Sequence, residues 1–348
     1  MDSHEHIFSL LFLSLILLFT GADASGQHLN FRPTKLFVFG DSYVDTGNHG
    51  RQVSFSWKDP YGITFPGKPS GRFSDGRVLT DFIAKYLGVK SPVPYKLRRS
   101  MAQHLKYGMN FAYGGTGVFD TSTPAPNMTN QIDLFQQLIK DKAYTAADLS
   151  YSVALVSVAG NDYSHYINQN GSAEGFPSFI ASVVNEMASN LKRIHELGVK
   201  KLAVSGLQPL GCLPANTAPS TFRRCNDSSN VLVAFHNSLL TQAVSKLNQQ
   251  TKDQSTFVLL DLYNSFMSVL AHPSTHNIQN QFQPCCVGVS SGYSCGDVDD
   301  NNFKKYNVCD DPKSAFFWDL AHPTQAGWHA VYNKLQTTNV LQQLVVQN

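Results

Sequence analysis

Two short stretches of the chain, Gly40-Asp41-Ser42 and Asp319-Leu320-Ala321-His322, carry the residue types needed for acyl transfer. A serine hydroxyl is a weak nucleophile until a base takes its proton, and a histidine serves best when a carboxylate fixes its ring. The chain holds two Asp-x-x-His pairs, Asp162 with His165 and Asp319 with His322. Spacing does not separate them, because residues three apart can share one helical turn in either case. Context does. Phe316, Phe317 and Trp318 would shield Asp319 from water, and Pro323 can start a helix just after His322. His165 sits among loop residues close to a sequon. We therefore expect Ser42 as nucleophile, His322 as general base and Asp319 as the orienting acid, with His165 set aside.

A carbonyl attacked by Ser42 becomes an oxyanion, which needs donors. Three strand-like runs end in turns that could supply them: Gly40-Asp41-Ser42, Gly114-Gly115-Thr116-Gly117 and Gly160-Asn161-Asp162. Glycines let the backbone turn sharply and leave N–H groups free, so a nucleophile, a backbone donor and the Asn161 amide would meet at one rim. Taken singly, Asp41-Ser42 also reads as a turn capping the first helix, Asn161-Asp162 as an Asx turn, and Asp319-x-x-His322 as an N-cap with a helix-terminal histidine. Their joint arrival at strand ends favours a site. Asp45 is expected to hold the loop after Ser42, through the Thr46 hydroxyl or nearby backbone N–H groups.

The elements that must position these residues are legible as alternating patterns. Strand-like runs occupy 35–40, 107–115, 152–160, 199–206 and 255–263, several without polar alternation, as in parallel strands covered on both faces. Phe176, Phe179, Ile180, Val183, Met187, Leu191, Ile194 and Leu197 recur at helical spacing and stop at Gly198. A second helix is expected through Val231, Phe235, Leu239 and Leu247. A last one begins near Pro323 and carries Ala326, Ala330, Val331 and Leu335. The alternation predicts a three-layer α/β/α fold around a central, mostly parallel five-stranded sheet, with ligands beyond the carboxyl ends of the strands.

Composition narrows the setting. Lys plus Arg number 27 against 25 Asp plus Glu, and no basic cluster exceeds pairs such as Arg98-Arg99, so nucleic acid is not an expected partner. The apolar run Ile7 to Thr20, closed by Gly21 and Ala22-Asp23-Ala24, reads as a secretory signal peptide over residues 1–24, although no Lys or Arg precedes it. Residues 25–348 are expected to form one domain, and no later run approaches the roughly 20 apolar residues of a membrane span. No stable membrane anchor is expected. Cys212, Cys225, Cys285, Cys286, Cys295 and Cys309 then read as disulfides. We expect a local Cys212 to Cys225 bridge, with the other four stapling a loop region at about 285–309. Asn127, Asn170 and Asn226 open sequons suited to the same secretory route.

Other motifs carry less. His272-Pro273-Ser274-Thr275-His276 has the histidine spacing of a helical zinc site, but Pro273 and the missing Glu favour a loop. Trp57, Tyr61, Phe65 and Phe73 could line an acyl pocket or pack a loop. His104, His195, His236 and His329 are expected at the surface or as satisfied core residues.

The blocks "FGDSYVDTGN", "NFAYGGTG", "VAGNDY" and "WDLAHPT" resemble the four spaced blocks of the plant GDSL esterase/lipase family, a branch of the SGNH hydrolases. The stretches "PYGITFPGKPSGRFSDGRVLTDFIA", "SGLQPLGCLP" and "PCCVG" resemble the same branch, so the likeness covers nearly all of residues 25–348. It implies a flavodoxin-like SGNH fold, and an oxyanion hole from the Ser42 N–H, the Gly115 N–H and the Asn161 amide. Gly115 is preferred to Gly114 because it lies five past Asn110, as in the family block. The resemblance further implies a secreted serine esterase or lipase acting through an acyl-enzyme, on small-molecule or lipid esters, without metal or cofactor. A transferase passing the acyl group to an alcohol acceptor is the nearest alternative, and a non-catalytic carbohydrate- or wall-binding protein is the alternative of another class. The expected state is a monomer in the extracellular space, the cell wall or the vacuole.

Overall fold

Alternate residues along each strand face opposite layers, and this alternation builds the architecture. The computed structural model describes residues 31–158, 160–251 and 255–346, so the expected signal peptide lies outside the described residues. Strand β1 (Lys35–Gly40) sends Leu36 and Val38 into one core and Phe37 and Phe39 into the other. The central sheet adds β2 (Val93–Pro94), β3 (Gly108–Asn110), β4 (Ser152–Ser157), β5 (Lys201–Ser205) and β6 (Phe257–Leu260). Their order is β2-β3-β1-β4-β5-β6, and every pair is parallel.

The five expected strands are present, and β2 joins as a sixth, two-residue edge. It is too short to show a period, and its Pro94 is a residue tolerated at an edge. Without it the order is the flavodoxin-like one, whose switch point lies between β1 and β4. Ser42 follows the first of these strands and Asn161 the second.

On one face pack α1 (Leu79–Tyr86), α6 (Leu262–Ala271) and α7 (Gln325–Thr337), with Phe82, Phe266 and Trp328 buried against Leu36, Val38 and Leu155. On the other pack α2 (Met128–Lys140), α4 (Phe176–Glu196) and α5 (Asp227–Thr251), with Phe135, Met187 and Leu240 buried against Phe37, Phe39 and Val156. A short helix, α3 (Gly160–Asn168), follows β4. The result is the three-layer α/β/α fold expected from the alternation.

Two helices differ in detail from expectation. In α5 the buried face is Val233, His236, Leu240, Val244 and Leu247, while Val231 is 68% and Phe235 40% exposed. The expected helix is present, with Leu247 buried and Leu239 packed against the core, but apolar residues occur on both sides, so period alone does not select the buried stripe. Helix α7 is capped by Thr324, whose Oγ1 accepts the Gly327 N–H at 2.9 Å, and Pro323 stands one residue before the cap.

Outside the main sheet, β7 (Asn280–Pro284) pairs in parallel with β10 (Ala315–Phe317), and β8 (Cys286–Gly288) pairs antiparallel with β9 (Tyr306–Val308). Cys212 bridges Cys225, Cys285 bridges Cys309, and Cys286 bridges Cys295. The last two bridges staple the loop region as expected. Among the described residues, no helix is long and apolar enough to cross a membrane.

Candidate active site

The turn after β1 is set by Gly40, which has φ +144° and whose missing Cβ makes room for the Ser157 carbonyl on β4. The Asp41 N–H donates to that carbonyl at 3.1 Å, and the Asp45 N–H closes a turn onto the Asp41 carbonyl at 2.9 Å. Ser42 is thereby raised at the sheet edge, 8% exposed. Asp45 anchors the loop beyond this turn: its carboxylate accepts the N–H groups of Gly47 and Asn48 at 2.7 Å each, His49 at 3.3 Å and Gly114 at 3.0 Å. Thr46 is not its partner; the Thr46 hydroxyl accepts from Asn110 Nδ2 at 3.0 Å.

The loop bearing Asp319 and His322 follows β10. It is closed by the Trp318 N–H donating to the His322 carbonyl at 2.7 Å. Within it, Asp319 Oδ1 accepts the N–H groups of Ala321 at 2.9 Å and His322 at 2.8 Å. His322 Nδ1 lies 2.8 Å from Asp319 Oδ1 and 2.9 Å from Oδ2, and His322 Nε2 lies 2.8 Å from Ser42 Oγ. This is a continuous chain from carboxylate to imidazole to hydroxyl, with both outer residues largely buried. Burial alone would push the Asp319 carboxyl up, but the adjacent His322 charge and the hydrogen bonds it accepts hold it below the usual carboxylate range. Such a chain can move a proton from Oγ to Nε2.

The other aspartate-histidine pair is not assembled. Asp162 turns to the glycine-rich loop and accepts the N–H groups of Val118 at 3.0 Å and Phe119 at 2.9 Å, while His165 Nδ1 meets Ser122 Oγ at 2.9 Å. Identical spacing on one helix thus serves a structural tie rather than a relay.

Opposite His322, Gly115 has φ +80°, and a Cβ there would run into the Thr123 hydroxyl. Asn161 Nδ2 donates to the Thr116 carbonyl at 3.0 Å, which fixes its amide beside the same loop. Among the described residues, neither the Ser42 nor the Gly115 N–H has an acceptor. Ser42, Gly115, Asn161 and His322 line one cleft of about 240 Å³, together with Asp41, Tyr43, Phe73, Gln208, Leu210 and Leu213. Among the described residues, the larger groove of about 490 Å³ between α4 and α5 is lined by no histidine. Burial drives the Asp41 carboxyl up to about 7, against the Tyr43 N–H that it accepts at 3.0 Å.

The aromatic loop divides. Phe73 reaches the cleft and lies 5.2 Å from the His322 ring, centroid to centroid. Trp57 packs under Arg51, and Phe65 under Arg77, away from the cleft. Tyr61 stands behind the site, donating its hydroxyl to Asp319 Oδ2 at 2.8 Å. Nothing in the sequence signals that contact, because the partners are 258 positions apart.

The remaining histidines are placed elsewhere. Residues Pro273–His276 form a single 3-10 turn. His236 is buried with Nδ1 2.6 Å from the Tyr163 hydroxyl, and burial lowers its pKa to about 4. Among the described residues its Nε2 finds no partner, so it is a core residue satisfied at one nitrogen. His195 Nδ1 meets the Val199 carbonyl at 2.9 Å, and His329 is exposed.

Comparison with known proteins bears on this cleft. The family described as "GDSL-like Lipase/Acylhydrolase" matches residues 36–335. The chain is 57% identical over 350 residues to "GDSL esterase/lipase At5g03610" of Arabidopsis thaliana, covering 97% of each chain. It is 50% identical over 346 residues to "GDSL esterase/lipase At3g09930" of the same plant, covering 96% of this chain and 98% of the relative. "GDSL esterase/lipase At2g36325", also from that plant, is 45% identical over 313 residues, covering 88% and 86%.

Proposed function

The chain belongs to the GDSL-like lipase/acylhydrolase family, and from that membership we propose that its carboxylic ester hydrolase activity is carried by Ser42, His322 and Asp319. The observation that carries this reading is the hydrogen-bonded chain with 2.8 Å at each link, opening into a cleft where the Ser42 and Gly115 N–H groups have no acceptor among the described residues.

Ser42 Oγ attacks the ester carbonyl carbon while its proton passes to His322 Nε2. The new oxyanion faces the N–H groups of Ser42 and Gly115 and the side-chain amide of Asn161. Collapse breaks the ester C–O bond, and the proton on Nε2 goes to the departing alcohol. A water then attacks the acyl-serine, gives a proton to Nε2, and releases the carboxylic acid as Ser42 recovers its hydrogen. Asp319 keeps Nδ1 protonated and steadies the imidazolium in both halves. At about 240 Å³ the cleft is smaller than pockets that enclose drug-sized ligands, and Phe73, Leu210 and Leu213 give it an apolar wall suited to a short acyl group.

The setting proposed for this activity is the secretory route, ending in the extracellular space or cell wall. Three disulfides support it, as do Asn170 and Asn226, both exposed at their sequons. Asn127 is half-buried and caps α2 by accepting the Asn130 N–H at 3.0 Å, leaving its Nδ2 on Asp120.

An ester and alcohol-acceptor panel, with products identified by mass spectrometry for the wild type and Ser42→Ala, tests the reading. Free acid and alcohol from the wild type alone are the expected outcome. Dominant transfer to the acceptor would assign the same acyl-enzyme to a transferase. Wild-type protein that turns over no ester would overturn the enzymatic reading in favour of a binding role.

A further inference from the structure

We propose that Tyr61 is a positioning residue for the acid of the triad: its hydroxyl fixes the rotation of the Asp319 carboxylate against the His322 ring and takes up part of that carboxylate's charge. The inference rests on the Ser42, His322 and Asp319 reading.

The two oxygens of Asp319 are held differently. Oδ1 accepts two N–H groups from its own loop, those of Ala321 and His322. Among the described residues, Oδ2 has only the imidazole at 2.9 Å and the Tyr61 hydroxyl at 2.8 Å. Without the hydroxyl, nothing but the ring that the carboxylate is meant to orient would hold Oδ2. Tyr61 is well placed for the task. It is 4% exposed, and its ring meets Trp318 edge-on at 5.9 Å. It belongs to a small core with Cys285, Cys286, Cys295, Tyr306, Ala315 and Trp318. That core is tied to the catalytic loop, because the N–H groups of Cys285 and Cys286 donate to the carbonyls of Phe317 at 3.0 Å and Trp318 at 2.6 Å. The disulfide-stapled region therefore holds both the donor and the backbone that carries the acceptor.

A phenol in this setting stays protonated, since burial and the Asp319 charge both push its pKa well above the ordinary value. It can only donate to Asp319. A donor on the carboxylate draws off part of the negative charge that stabilises the imidazolium. The other ionisable groups near enough to be felt are Asp41 and Tyr43, beside Ser42, and Asp297, which faces Tyr61 from the stapled loop. None of them hydrogen-bonds to Asp319 among the described residues, and all remain unchanged in a Tyr61 variant.

The test is the pH profile of kcat/KM for a short-chain nitrophenyl ester, with Tyr61→Phe compared with the wild type. Removing the hydroxyl should lower kcat about tenfold with little change in KM, as loss of a hydrogen bond to a charged group does. The acidic limb should move up, because the Asp319 carboxylate then keeps more of its charge for the imidazolium. A fluorinated tyrosine placed at position 61 alone keeps the packing, strengthens the donor and should move the same limb down. It also decides the matter if Tyr61→Phe fails to fold. Wild-type kcat with an unmoved limb in Tyr61→Phe, or an unmoved limb in the fluorinated protein, would overturn the proposal while Ser42→Ala remains inactive. Full activity of Ser42→Ala would instead overturn the triad reading and the role of Tyr61 with it.

Discussion

Gln131 and Gly40 are joined at two points: the Gly40 N–H donates to Gln131 Oε1 at 2.8 Å, and Gln131 Nε2 donates to the Gly40 carbonyl at 2.9 Å. A buried side-chain amide in α2 thus extends the hydrogen bonding of β1 past its end, two residues before Ser42. Gln131→Leu keeps a similar volume but leaves the Gly40 N–H buried without a partner. It should lose about 1–3 kcal/mol of stability, read from urea unfolding, and lower kcat because Ser42 is less firmly placed. Gln131→Glu keeps the acceptor but sets a buried carboxylate oxygen against the Gly40 and Pro126 carbonyls, so it should lose at least as much at pH 8 and regain stability as the pH falls; a loss independent of pH would show that the donor side does not matter.

Asn161 should matter to rate rather than to substrate binding. In the proposed reaction its amide acts on charge that develops only as Ser42 attacks, so Asn161→Ala should lower kcat by roughly 10²–10³ with KM nearly unchanged. Steady-state kinetics on a short-chain ester separates the two. A rise in KM at constant kcat would place the amide on the ground-state substrate instead.

The raised pKa of Asp41 sets a slope of stability with pH. Its folded value of about 7 lies above the ordinary 3.8, so between those limits the folded chain binds more protons than the unfolded one. Stability attributable to this group therefore falls as pH rises from about 4 to about 7. Asp41→Asn keeps an oxygen for the Tyr43 N–H and removes the titration. It should flatten the pH dependence of the urea midpoint between pH 5 and 8, with the larger gain at pH 8. Parallel curves for the two proteins would show that Asp41 titrates normally.

Reduction should reach the site through the backbone. The Cys285–Cys309 and Cys286–Cys295 bridges fix the strand whose N–H groups hold Phe317 and Trp318, immediately before Asp319. Replacing Cys286 and Cys295 together by Ala should lower the midpoint of thermal unfolding, and lower kcat even well below that midpoint. The Cys212–Cys225 bridge ties down the segment that carries Leu210 and Leu213 of the cleft wall, and its loss should cost stability, on the order of 2–4 kcal/mol, and change KM more than kcat.

Much of this was legible in the chain because the fold places chemistry at strand ends. The runs at 35–40 and 152–157 have the unbroken apolar character of buried parallel strands, and the residues just past them line the cleft. Asp319 and His322 were legible from their aromatic flank, since a shielded carboxylate requires apolar neighbours. What periodicity could not supply were contacts between distant segments. Tyr61 on Asp319, Gln131 on Gly40 and Asp162 on the 118–119 backbone each join elements that local sequence leaves independent. The helix α5 was legible but its buried face was not, for a related reason: Val231 and Phe235 are as apolar as Val233 and Leu240, and only packing against α4 selects between the stripes.

The most direct test of the account is peptide mapping by mass spectrometry after treatment with a serine-directed fluorophosphonate. The account predicts one adduct, on the peptide containing Ser42, formed in step with loss of esterase activity and strongly slowed in His322→Ala. An adduct on another residue, or loss of activity with Ser42 unmodified, would contradict it.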